Sequence, residues 1–139
     1  MHNIMDDVVK KLALKIKLRR VSGNAVHHAA LLVKVLGDGA KLVKGYCVIP
    51  ETKEACEHYW VRYEGMDLDV AFAVARLRNL ELQAVSPVLL ECLPPGLNRS
   101  DLAETMIREE NERLFELYQQ SPKAFWREAP HDVRNFRLN

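Results

Sequence analysis

The residues whose types and spacing could do chemistry lie between Gly23 and Asp69. Glu57-His58-Tyr59-Trp60-Val61 sets a histidine in strand-like sequence, Glu64-Gly65 reads as a turn, and Asp67-x-Asp69 brings two carboxylates back on the return strand. Residues two apart share a strand face, so hairpin pairing can bring the His58 imidazole to one of these carboxylates, which would hold it in a single tautomer. A histidine held in this way is two thirds of a triad and needs a nucleophile presented to it. The N-terminus of a helix suits a thiol in that role, because the helix dipole lowers its pKa.

Other candidates compete. Cys47 follows Gly45-Tyr46 in strand-like sequence and has no helix terminus to activate it, while Cys56 and Cys92 have less support. Cys47, Cys56 and His58 would be the best zinc ligands, but their Cys-x8-Cys-x-His spacing is not a Cys-x2-Cys pattern, so no metal is expected. Three cysteines are an odd count in a chain large enough to fold without disulfides, which predicts free thiols in a reducing compartment. Ser22 has no Gly-x-Ser-x-Gly elbow around it. His27 and His28 are expected as ordinary helix residues, one buried and one exposed, and Trp60 as core packing beside the site.

The elements that must position these residues can be read along the chain. Near the N-terminus Lys10, Lys11, Lys15, Lys17, Arg19 and Arg20 interleave with Leu12, Leu14, Ile16 and Leu18. Val8, Leu12 and Ile16 suit a helix face and the alternation suits a strand, so the period is ambiguous; the basic side is expected to be a solvated face. After the break at Ser22-Gly23-Asn24, residues 25–36 read as a capped helix that ends at Gly37-Asp38-Gly39. Its apolar positions wrap most of the way round, which predicts a buried helix. Lys41 to Ile49, Cys56 to Tyr63 and Met66 to Ala71 read as an antiparallel meander. Residues 72–80 read as helix, Ala84 to Leu90 as a short strand and Pro94-Pro95-Gly96 as a loop. Asp101-x-x-Glu104 has the order of a capping box for a helix running to Gln120. Ser121-Pro122 stops that helix and opens a short last one with Phe125 and Trp126, and the tail from Pro130 is expected to be extended.

With these elements in place the residues resemble a family. Gly23-Asn24, Ala29, Leu32 and Leu36 on the helix, Gly45-Tyr46 in a strand, His58-x-Trp60-Val61, and Gly65-x-x-x-Asp69-Val70 together resemble the transglutaminase-like superfamily of papain-type folds, over about Ser22 to Ala71. The resemblance implies an α+β fold with a buried helix on an antiparallel sheet and C-terminal helices. It implies one domain over 1–139, with its core at about 20–92 and a helical segment at about 98–130. It further implies a triad in which a cysteine at position 25 is the nucleophile, His58 the base and Asp69 the group that orients His58, with Asp67 as the alternative third member. Backbone N–H groups near Asn24 and Ala25 would stabilise the oxyanion. This chain departs from the pattern at the nucleophile, where Ala25 stands. Either it is a naturally inactive relative, or the cysteine was replaced by alanine; the retained His58 and Asp69 favour replacement.

The activity so implied is cysteine-dependent acyl transfer, and in a chain of 139 residues hydrolysis of a peptide or isopeptide bond is the expectation. A noncatalytic module that keeps the fold and holds a peptide in its cleft is the alternative, with Ala25 in its favour. Twenty Lys and Arg against nineteen Asp and Glu leave a net charge of +1, which offers no global field for nucleic acid or an anionic membrane. No apolar run approaches the roughly 20 residues of a membrane span, and the N-terminus lacks the order of a signal peptide, so a cytoplasmic protein is expected. The expected partner is a peptide or protein substrate, and no Gly-rich phosphate loop or dinucleotide fingerprint calls for a cofactor.

Overall fold

The computed structural model describes residues 4–49, 53–78, 88–90, 95–99 and 105–139. The ambiguous N-terminal period resolves as a helix, α1, over Ile4–Leu18. Val9, Leu12, Ala13 and Ile16, three or four residues apart, form its buried stripe. Leu14 and Leu18, which strand alternation would group with Leu12 and Ile16, remain 46% and 68% exposed. Asp6 and Asp7 in the first turn and Lys15 and Lys17 in the last suit the helix dipole.

The buried helix α2 spans Ala25–Leu36, with Val26 and the run Ala29 to Leu32 inside the protein. Strands β1 (Lys41–Ile49) and β2 (Glu54–Tyr63) pair antiparallel in an unbroken register from Lys41↔Arg62 to Ile49↔Glu54. β3 (Met66–Leu68) extends the meander from β2, and β4 (Val88–Leu90) pairs antiparallel with β1, giving the order β3-β2-β1-β4. β5 (Asn98–Arg99) adds a short parallel pair at the start of β2, so the expected antiparallel sheet carries one parallel addition.

The third strand is shorter than its sequence suggested. Val70 and Ala71 belong to helix α3, Val70–Arg78. Asp69 ends the strand because its Oδ1 accepts the Phe72 N–H at 2.9 Å, an N-cap bond that starts the helix at once.

The C-terminal part holds α4 (Thr105–Gln120), α5 (Pro122–Glu128) and a further helix, α6 (His131–Arg134). Ser121 caps α5 by accepting the Ala124 N–H, and Pro122 follows as its first residue. The extended tail expected from Pro130 is corrected here. Val133 and Phe136, three apart, are both buried, and that apolar pair is what coils the segment against α2. One apolar cluster runs from Val9 through α2, Tyr59 and Val61 to Leu114, Phe125 and Phe136, so α1 and the C-terminal helices share the core with the sheet. Both His27 and His28 are buried, at 6% and 4% exposure, where one had been expected outside. The segment 84–87, Pro94 and the Asp101-x-x-Glu104 pattern lie outside the described residues. No helix among the described residues is long and apolar enough to cross a membrane.

Candidate active site

The meander puts His58 two residues before Trp60 on β2, and the turn at Glu64-Gly65 returns the chain through β3 to Asp69. There His58 Nε2 meets Asp69 Oδ2 at 2.6 Å, with both side chains largely buried. A carboxylate only accepts, so Nε2 carries the proton and donates it, and Nδ1 is left as the basic nitrogen. Nδ1 has no hydrogen-bond partner among the described residues. Asp69 is held in turn, since its other oxygen caps α3. A carboxylate fixed at both oxygens leaves the imidazole little freedom to rotate.

Asp67 has other work. Its Oδ1 accepts from Trp60 Nε1 at 2.9 Å and from Arg62 Nε at 2.7 Å. Partial burial acts to raise its carboxyl, but the hydrogen bonds from Arg62 and Trp60 outweigh this and hold it below the usual value. Trp60 is 1% exposed, and its ring lies 6.3 Å from that of His58 and nearly parallel to it. It forms a wall beside the dyad, as expected, and it also ties down Asp67.

Ala25 is the first residue of α2 and is partly exposed. The turn before it is braced from several directions. The Asn24 N–H donates to His27 Nδ1 at 2.9 Å, and the Val26 N–H points to Asn111 Oδ1 on α4 at 3.3 Å. Ser22 donates both its N–H and its hydroxyl to Asp132 of α6, and His28 Nε2 lies 3.2 Å from the Ser22 carbonyl. Gly23 has φ +99°, and a Cβ there would come within 2.8 Å of the His27 ring, so both backbone and space require glycine. Of the two N–H groups expected as oxyanion donors, Asn24's is taken by His27, while Ala25's has no acceptor among the described residues.

The structure thus joins His58 to Asp69. Their relation to Ala25 follows from strand alternation. Tyr59 and Val61 share the core with α2, whereas His58, Trp60 and Arg62 alternate with them and leave β2 by the other face. Ala25 starts a helix that packs on the first of these faces.

Cys47 stands directly opposite Cys56 in the ladder, one same-face step from the Gly45↔His58 pair. Both thiols are free and half-buried. Burial first, then the charges of Asp69 and Cys56, push the Cys47 thiol up to about 12, so it is protonated at neutral pH and a poor nucleophile. Among the described residues no group of three His, Cys, Asp or Glu side chains is arranged to hold a metal ion.

Asn111 and Asp132, which brace the start of α2, were not found by sequence reasoning. They lie more than 80 residues downstream of their partners, and nothing in their local sequence marks them. The chain matches no protein family, no characterised protein and no solved structure.

Proposed function

We propose that the chain has the frame of a cysteine-dependent acyl-transfer enzyme of transglutaminase-like type, acting on a peptide or isopeptide bond, with Ala25 where the nucleophilic cysteine belongs. The observation that carries this reading is the 2.6 Å bond from His58 Nε2 to Asp69 Oδ2, which leaves one basic nitrogen aimed in a fixed direction. The chemistry this reading assigns requires the start of α2 to come to His58: a thiol at position 25 would then pass its proton to Nδ1 while its sulfur adds to the amide carbonyl. His58 returns the proton to the leaving amine, and water then hydrolyses the thioester. Asp69 orients the ring and stabilises its charged form. The N–H of residue 25 serves the oxyanion. Alanine has no atom to attack with, so the chain as it stands is inactive, and the intact dyad supports reading Ala25 as a replaced cysteine.

One observation favours a second reading. His58 leaves β2 on the face away from the layer to which α2 belongs, and a noncatalytic module that binds a peptide needs no approach of position 25 to His58.

Alkylation of Ala25→Cys by iodoacetamide across pH 4–9, followed by intact mass, separates the two. The expected result is one fast label beyond those of the parent chain, with an apparent pKa well below the ~8.5 of a free thiol, lost when His58→Ala is added. Because nucleophile and base must come within about 3 Å of each other, the measurement also tests their proximity. A slow, ordinary thiol at position 25 sinks the enzyme reading and leaves the binding module.

A further inference from the structure

We infer that Cys47 and Cys56 are a reversible modification site, closing to a cross-strand disulfide when the protein meets a disulfide oxidant such as glutathione disulfide. The inference rests on the β1–β2 ladder and not on the acyl-transfer reading. Cys47 and Cys56 are direct partners in an unbroken antiparallel register, so their side chains leave the sheet on the same face. Directly opposed residues in such a ladder have Cα atoms about 4.5–5.5 Å apart. A disulfide accepts about 4.4–6.8 Å, so the Cα spacing of such a pair is compatible with the bond. Both thiols are half-buried and free, which allows a small oxidant in while shielding the product.

The chemistry balances as thiol–disulfide exchange. The Cys56 thiol gives its proton to solvent and its sulfur attacks glutathione disulfide, expelling one glutathione thiolate. That thiolate takes the proton of Cys47, whose sulfur attacks the Cys56 sulfur of the mixed disulfide, and the second glutathione leaves as a thiolate that takes up a proton from solvent. Two protein thiols are oxidised and one glutathione disulfide is reduced to two thiols. Cys47 suits the resolving step and not the first one, since burial and the charges of Asp69 and Cys56 keep it protonated at neutral pH. The new bond would sit one same-face step from His58, tying β2, which carries that histidine, to its neighbour β1.

The test uses the whole chain, treated with glutathione disulfide under native conditions, then alkylated in denaturant and weighed. The expected outcome is a monomer with the mass of the chain plus one alkyl group less about 2 Da, so that only one of its three cysteines is alkylated, a peptide map linking residues 47 and 56, and full reversal by dithiothreitol. Cys92→Ser should leave the bond intact, and Cys56→Ser should abolish it. The wild-type map needs no variant to fold, so a misfolded Cys56→Ser would not obscure the answer. Three alkylated cysteines after oxidation, glutathione adducts that never resolve, or a linkage through Cys92 would each overturn the inference.

Discussion

Asp69 does two jobs with one carboxylate, and the pairing of those jobs makes its substitutions informative. Oδ2 accepts from His58 and Oδ1 accepts from the first turn of α3. Asparagine retains one carbonyl oxygen for the cap but presents an NH2 to the imidazole, which must then accept at Nε2 and carry its proton on Nδ1. Asp69→Asn should therefore keep stability within about 1 kcal/mol of the parent while switching the His58 tautomer, read by nitrogen NMR of the ring. Asp69→Ala removes the cap as well and should cost about a further 1 kcal/mol in urea unfolding. A ring that keeps its proton on Nε2 in the asparagine variant would show that Asp69 does not set the tautomer. Cys47 illustrates the opposite case, a residue of reactive type whose burial and charged neighbours keep it protonated at neutral pH and so bar it from making the first attack.

At the scale of the element, the first turn of α2 depends on the protonation state of one buried histidine. His27 Nδ1 accepts the Asn24 N–H, which it can do only when that nitrogen is bare. Burial, opposed by the nearby charges of Glu110 and Glu128, holds its pKa below the ordinary 6.5. The unfolded chain therefore takes up the proton at a higher pH than the folded one. The stability contributed by neutral His27 is fully present above about pH 6.5 and is lost as pH falls below it towards the folded value. Glutamine at this position can still accept the Asn24 N–H, as in an ordinary capping box, but does not titrate. His27→Gln should accordingly flatten the loss of stability between pH 7.5 and pH 5 in urea titrations. An unchanged slope would assign that loss to other groups. The same element logic explains the short β3, since a strand ends where its next residue is a good helix cap.

Across the whole molecule the C-terminal helices are core and not an appendage. Phe125 is 0% exposed and packs against His27, Tyr118 and Trp126, with ring centroids 5.1–5.6 Å away. Phe125→Ala should cost about 3–5 kcal/mol and lower the midpoint of a single cooperative urea transition without changing its slope. A loss below 1 kcal/mol, or a separate early transition for the C-terminal part, would show that these helices fold on their own. The braces at the start of α2 follow the same plan, since Asn111 comes from α4 and Asp132 from α6. Position 25 is held in place by the far end of the chain.

What the sequence determined by itself was local. Apolar spacing with Gly and Pro stops placed α2, β1, the end of α4 and the start of α5, because the burial period and backbone punctuation act within a few residues. The hairpin spacing of His58, Gly65 and the Asp67-x-Asp69 pair was enough to bring His58 to one of the two carboxylates, because a meander maps short sequence separations onto contacts, while the choice of Asp69, which the fold brings to 2.6 Å, came from the family resemblance. Tertiary structure decided the rest. The N-terminal segment carried both periods, and only the stripe of Val9, Leu12, Ala13 and Ile16 that could be buried chose the helix. Asp69 took His58 because Trp60 and Arg62 had claimed Asp67. The burial of both His27 and His28, the coiling of the tail, and the side of the sheet to which α2 belongs all depend on contacts between residues far apart in the chain. No local pattern encodes such contacts, because their free energy arises only once the layers have packed.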